Sequence, residues 1–370
     1  MWFNRMKIEE ESPEEYGYDR IKFNFTESST TDKSMADVGI KLPEDLLLCY
    51  GDHLGNAALR DLIAKDYNLK GDNVIVTVGA CMAVFAIYST LLKPGDHVVV
   101  MFPNYPADVD ITYSLGCKTD LYTIKAENGY KLDIDELAAM ITEETKLVTI
   151  TYPHNPTGSM ITEEELRQVI KMCEEKGVRI LVDETYGDLV LGERIARAAS
   201  ISPMAISVES LSKAIGIPGI RTGWIVCQDK ELIEKIVAAK EQICICGSVV
   251  DEECAYQVLL RRDEILAPIK ADIAEKFAIV EAFMERQKVF NWVKPAGGVV
   301  CFPCIKPEIE IDTAEFYDVL NNKYGVFVGP GHWFSMDDRY FRLGYAWPSK
   351  EKLIEGLEYL EKAVEDTRKN

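Results

Sequence analysis

TEEELRQVIKMCEEKGVRILVD, residues 162–183, reads as one helix followed by one strand. Thr162 stands three residues before Glu165, the pairing in which each side chain reaches the other's backbone N–H at a helix start. Leu166, Val169, Ile170 and Cys173 then recur at helical spacing, and Gly177 supplies a stop. Residues 178–183 follow as a largely apolar run that ends in Asp183. A strand of that composition is buried on both faces, as in a parallel sheet covered by helices. The same alternation extends from about residue 45, with predicted strands at 73–78, 97–101 and 147–151 and a predicted helix at 81–92. The fold class is therefore α/β: a three-layer large domain about a mostly parallel sheet, over residues 45–250.

Past residue 230 the pattern changes. Helical stretches dominate to 288, short strands follow near 299–302, 326–328 and 340–345, and an amphipathic helix over 349–367 closes the chain. This predicts a smaller α+β domain over 251–370. Residues 1–44 fit neither pattern and read as an N-terminal arm contributing to the small domain.

Composition narrows the function. A formal net charge of −20 opposes binding to nucleic acid, which requires an excess of Lys and Arg, and disfavours docking on an anionic membrane. Hydrophobic residues at 47% suffice for a full core. Residues 1–18 are acidic with no apolar run of signal-peptide length, and the apolar stretch 83–92 is too short to span a bilayer, so a cytoplasmic protein is expected. Ten cysteines in 370 residues do not make a disulfide scaffold. Cys301 and Cys304, and Cys244 and Cys246, lack histidines at zinc spacing, so free thiols and no metal are expected.

Lys213 closes Ser210-Leu211-Ser212-Lys213, and Arg221 stands in Pro218-Gly219-Ile220-Arg221-Thr222-Gly223-Trp224. An amine behind two hydroxyls, then an arginine after Pro-Gly, is the set of groups a phosphorylated aldehyde needs. The amine makes the covalent link, and the hydroxyls and guanidinium hold the phosphate. The run resembles the lysine motif of fold-type I pyridoxal-phosphate enzymes, the class I/II aminotransferase family of the aspartate aminotransferase superfamily. The resemblance implies pyridoxal 5'-phosphate as cofactor, bound by the 45–250 domain, with Ser210, Ser212, Lys213 and Arg221 among its ligands.

Further motifs appear in the family's order. Asp183-Glu184-Thr185-Tyr186 resembles its Asp-Glu-x-Tyr segment, implying Asp183 at the ring nitrogen and Tyr186 at the phenolic oxygen. A buried anion there raises the nitrogen's proton affinity, although a strand-end Asp also caps turns. His154-Asn155-Pro156-Thr157-Gly158 is similar to Asn-Pro-Thr-Gly, implying that Asn155 meets the ring oxygen and the substrate carboxylate. Gly79-Ala80-Cys81 falls between a strand and a helix, where the amides of Ala80 and Cys81 would cradle phosphate. The hydroxyl frequent at that place is absent. Tyr105 in Pro103-Asn104-Tyr105-Pro106 resembles the aromatic that covers the ring, core packing being the alternative. Tyr50-Gly51-Asp52-His53-Leu54-Gly55 resembles the segment that reaches the phosphate of a neighbouring subunit, without the usual proline after the tyrosine. It implies a homodimer with shared active sites.

Arg342 in Tyr340-Phe341-Arg342-Leu343-Gly344 matches the family's near-C-terminal arginine, a planar fork for a substrate carboxylate, with a surface ion pair as the alternative. Gly329-Pro330-Gly331-His332-Trp333-Phe334 resembles the family's substrate loop. Glu27, in Asn24-Phe25-Thr26-Glu27-Ser28-Ser29-Thr30, either meets a basic or hydroxylated substrate side chain or is an exposed arm residue. The implied activity is transfer of an amino group between an amino acid and a 2-oxo acid, with Lys213 as base and then acid. A specialised lyase or cyclising amino acid synthase uses the same motifs. A non-catalytic regulator would need a DNA-binding module, for which the chain has neither room nor charge.

Overall fold

The computed structural model describes residues 2–190 and 192–369. The arm carries two short helices, α1 (Lys7–Glu10) and α2 (Pro13–Tyr16), and strand β1 (Phe23–Phe25). Helix α3 (Ala57–Lys65) leads to β2 (Val74–Val78), α4 (Gly79–Leu91), β3 (His97–Phe102), α5 (Pro106–Ser114) and β4 (Lys118–Thr123). Then come α6 (Ile134–Met140), β5 (Thr145–Thr151), α7 (Glu163–Glu175), β6 (Arg179–Asp183), α8 (Ala198–Ile201), β7 (Ala205–Ser210) and β8 (Thr222–Cys227). These strands form a seven-stranded sheet in the order β2-β8-β7-β6-β5-β3-β4. Neighbours from β7 through β4 run parallel, whereas β8 is antiparallel to both β7 and β2.

Period-two alternation sorts each central strand onto two covered faces. Val99, Val148, Ile150, Ile180 and Val182 pack on one side with Leu166, Val169, Ile170 and Cys173 of α7. Val98, Val100, Leu147, Leu181 and Val208 pack on the other with Ala83, Val84 and Ile87 of α4. Three layers result, as the unbroken apolar runs predict. In α7, Thr162 accepts from the Glu165 N–H at 3.1 Å while Glu165 accepts from the Thr162 N–H at 2.7 Å, the reciprocal cap.

Three helices, α9 (Lys230–Ile243), α10 (Val249–Leu260) and α11 (Arg262–Arg286), lead into the C-terminal part. It contains β9 (Phe290–Asn291), β10 (Val300–Cys301), β11 (Cys304–Ile305), α12 (Thr313–Asp318), β12 (Val326–Pro330), β13 (Phe341–Gly344) and α13 (Lys350–Thr367). The arm's β1 adds to this sheet parallel to β12, in the order β1-β12-β13-β10. Boundaries differ from the sequence reading by one or two residues. Helix α4 starts at Gly79 rather than 81 because Gly79, at φ +75°, turns the chain directly from β2. All ten cysteines are free thiols. No helix among the described residues is long and apolar enough to cross a membrane.

Candidate active site

The sheet brings the motifs to one edge. Thr151 of β5 pairs with Asp183 of β6, Asp183 with Val208 of β7, and Ser210 of β7 with Gly223 of β8. Because β8 runs backwards, its start, next to Arg221, lies at the edge where the parallel strands end. The loops after β5, β6 and β7 therefore deliver Asn155, Asp183, Tyr186, Ser212 and Lys213 to the same place as Arg221 and the β2–α4 turn. Ligand sites of α/β sheets form at such carboxyl ends.

A cavity of about 720 Å³ opens there. Twelve of the thirteen residues singled out from sequence line it: Glu27, Ala80, Cys81, Tyr105, Asn155, Asp183, Tyr186, Ser210, Ser212, Lys213, Arg221 and Arg342. Tyr50 does not, and is 80% exposed. Glu27 is half-buried on the cavity wall, not an exposed arm residue.

Local geometry is tight where a phosphate cradle is expected. Arg221 has φ +45°, a left-handed conformation costly for a side-chain-bearing residue. Its Nη1 donates to the Pro218 carbonyl at 2.9 Å and lies 3.4 Å from Ser212 Oγ. A Cβ added to Gly79 would stand 2.5 Å from Arg221 Nη2, so glycine is what lets the guanidinium reach the helix start.

Asp183 accepts from the Thr185 N–H at 2.9 Å. Burial pushes its carboxyl up, while the hydrogen bonds from Thr185 and the Lys213 charge pull it down. Tyr186 donates its hydroxyl to Ser28 Oγ at 2.8 Å. Arg342 is 4% exposed, so the surface-pair alternative does not hold. Its Nη1 donates to Asn155 Oδ1 at 3.0 Å and its Nη2 to the Thr26 carbonyl at 2.6 Å, whereas its buried Nε has no partner. Burial lowers its proton affinity, with Tyr186 and Glu27 opposing.

Several lining residues carried no distinct sequence signal. Asp108 reads as an ordinary acid in the first turn of α5, yet it is 2% exposed with an unpartnered Oδ1. Burial, reinforced by Asp183, holds its carboxyl well above the usual range. Glu9 and Glu14 reach the cavity from the arm, and Glu9 accepts from the Tyr105 hydroxyl at 2.7 Å. Glu11 ties the arm down, accepting from Trp333 Nε1 at 2.7 Å and contacting His332 Nε2 at 2.8 Å.

The family model for aminotransferase class I and II matches residues 26–360. The chain belongs to that family. It is a pyridoxal-phosphate-dependent transferase, as the resemblance of its lysine motif implies. Capreomycidine synthase of Streptomyces vinaceus is 26% identical over 341 residues, covering 89% of this chain and 84% of that protein. A probable aspartate/prephenate aminotransferase of Aquifex aeolicus is 28% identical over 346 residues, with 86% and 84% covered. Among solved structures, a PLP-dependent aminotransferase from Streptococcus suis superposes with a TM-score of 0.90 at 28% identity, covering 100% of both chains. As a class I/II aminotransferase, the chain moves an amino group between an amino acid and a 2-oxo acid.

Proposed function

We propose that this cavity carries out the transfer, with Lys213, Asp183 and Arg342 in the leading roles. The supporting observation is that an amine, a half-buried carboxylate and a buried guanidinium, remote in sequence, line one space. The residues present fit pyridoxal phosphate. Arg221, Ser210, Ser212 and the amides at Ala80 and Cys81 offer the phosphate its donors, and the glycine-permitted approach of Arg221 to the helix start concentrates positive potential there. Tyr105, Asn155 and Tyr186 line the remainder.

When bound, the cofactor supplies an aldehyde for the substrate amine and a cationic ring that withdraws electrons. Asp183 is the desolvated anion that keeps the ring nitrogen protonated. Arg342 holds the substrate carboxylate, its unpartnered Nε giving it a free donor, and so fixes which bond at Cα is weakened. Lys213 Nζ takes the Cα proton and later gives one back, base and then acid. Replacing Lys213 with Ala is expected to abolish turnover and the visible absorbance of the holoenzyme; retention of either removes this assignment.

The likeness to capreomycidine synthase favours one second reading, a cyclising or lyase reaction on the same residues. Incubation with a panel of amino acids, with and without an oxo acid acceptor, separates the two. Product formed without an acceptor excludes transamination as the main reaction.

A cytoplasmic homodimer is the accompanying proposal. Leu47, Leu48 and Tyr50 are 76%, 78% and 80% exposed, an apolar strip that a second subunit would cover. A sedimentation mass near 41.7 kDa in solution would refute the dimer, and recovery in a membrane or secreted fraction would refute the location.

A further inference from the structure

The cavity is lined by groups of both signs. Arg342 is buried with its Nε unpartnered, a cation prepared for an anion. The carboxylates of Glu27, Glu9 and Glu14 line the same space. Glu27 directly follows Thr26, whose carbonyl accepts from Arg342 Nη2. A Cβ on Gly344 would stand 1.8 Å from the Glu27 carbonyl oxygen, so the segment bearing Glu27 packs flat on β13, the strand bearing Arg342. Glu9 and Glu14 come from the arm helices α1 and α2 and line the same space.

On the arm, Arg5 pairs with Glu15 and Lys7 with Glu10, while Lys213 and Arg342 line the same cavity without forming an ion pair to its glutamates. Among the described residues, no Lys or Arg forms an ion pair with Glu9, Glu14 or Glu27. The Tyr18 hydroxyl lies 3.1 Å from Glu27 Oε1 and 3.2 Å from Glu14 Oε1. A phenol has one proton to donate, so it satisfies one of these carboxylates and leaves the other without a donor. Burial pushes the Glu27 carboxyl up against the pull of Lys213, and Glu14 adds to the rise. Glu27 is half-buried beside the exposed Glu14 and Glu9; a carboxylate so placed without a paired cation is unfavourable, and a positive group brought by the substrate removes that cost.

We propose that the amino acid substrate carries a cationic side chain, an amine or a guanidinium, received by Glu27 with Glu14 and Glu9 at the cavity mouth. This rests on the aminotransferase reading and specifies its substrate class. A neutral side chain of the same shape leaves the carboxylates unpaired, and an anionic one is repelled.

The test compares charged and neutral isosteres on the holoenzyme: L-arginine against L-citrulline and L-ornithine against L-norleucine. Dissociation constants come from calorimetry and kcat/KM from turnover. At least one cation is expected to bind and react about tenfold or more better than its isostere, the discrimination one charge-assisted pair supplies. In Glu27→Gln that ratio is expected to fall by about tenfold, and in Glu14→Gln, at a more exposed site, by less. Equal affinities within both pairs, or a ratio unchanged in both variants, overturns the proposal. If amino acids react but charge is not preferred, this inference alone fails; if no amino acid reacts, the aminotransferase reading fails with it.

Discussion

Arg342 is held by Asn155 Oδ1 and the Thr26 carbonyl and packs its guanidinium 5.2 Å from the Phe334 ring centroid. Those contacts set the plane of the fork before any substrate arrives. Removing one partner of a buried charge pair costs about 2–5 kcal/mol. Arg342→Ala is therefore expected to lower kcat/KM for an amino acid by roughly 30-fold or more. Arg342→Lys should recover only part of the loss, since an ammonium cannot make two parallel bonds. Steady-state kinetics check both; an alanine variant with wild-type kcat/KM would show that the carboxylate binds elsewhere. At this scale the sequence was informative about residue type but not about direction. The Asp-Glu-x-Tyr and Ser-x-Ser-Lys runs name their own chemistry. Asp108 and Glu9 were silent, because an acid near a helix start is ordinary: only burial distinguishes Asp108, and only the packing of the arm brings the exposed Glu9 to the cavity.

Helix α7 and strand β6 behave as their sequence reads, since both ends of the helix are locally encoded. Thr162 and Glu165 satisfy donors at one end, and Gly177 at φ +68° closes the other. Loss of such an N-cap costs about 1 kcal/mol. Thr162→Ala should lower the denaturant midpoint by a corresponding amount with KM unchanged, since α7 does not line the cavity. A change in KM with no loss of stability would contradict this separation. Strand ends were less legible. The predicted strand at 326–328 extends to Pro330 because Gly329 and Pro330 pair with Arg342 and Phe341, a partner more than ten residues away. Helix α4 likewise begins two residues early, for a reason visible only in the turn geometry at Gly79.

Across the whole molecule, buried charges couple stability to pH. Glu209 accepts from Arg197 Nε at 2.9 Å, pairs with Arg194 Nη2 at 2.8 Å and takes the Tyr67 hydroxyl bond. Burial alone would raise its carboxyl, but Arg194 and Arg197 outweigh that and hold it at about 2. Its folded pKa is depressed, so its contribution is present above the ordinary value of 4.5 and is lost as pH falls toward 2. Burial also holds His154 down at about 3, against an ordinary 6.5, and its contribution is lost over that interval on acidification. Glu184 acts oppositely. Burial and the neighbouring Glu209 raise it to about 7, so its contribution is present below 4.5 and lost as pH rises through 7. His154 and Glu184 therefore oppose one another between about 7 and 4.5, while below 4.5 the losses act together. The urea midpoint is expected to fall steeply below pH 4.5, where Glu209 and His154 lose their contributions together. A midpoint that rises steadily on acidification to pH 3 would refute the assignment.

What the sequence determined by itself is local: which segments are helices and strands, which faces they bury, and which side chains carry amine, phosphate-binding and carboxylate-binding chemistry. Periodicity and capping involve neighbours a few residues apart, so a chain states them directly. Convergence was decided only in three dimensions. The reversal of β8 brings Arg221 beside Ser212, β13 carries Arg342 onto Asn155, and β1, paired with β12, brings Glu27 to the cavity wall. Those positions depend on packing between segments separated by tens to hundreds of residues, and nothing in a local pattern specifies the distance between them.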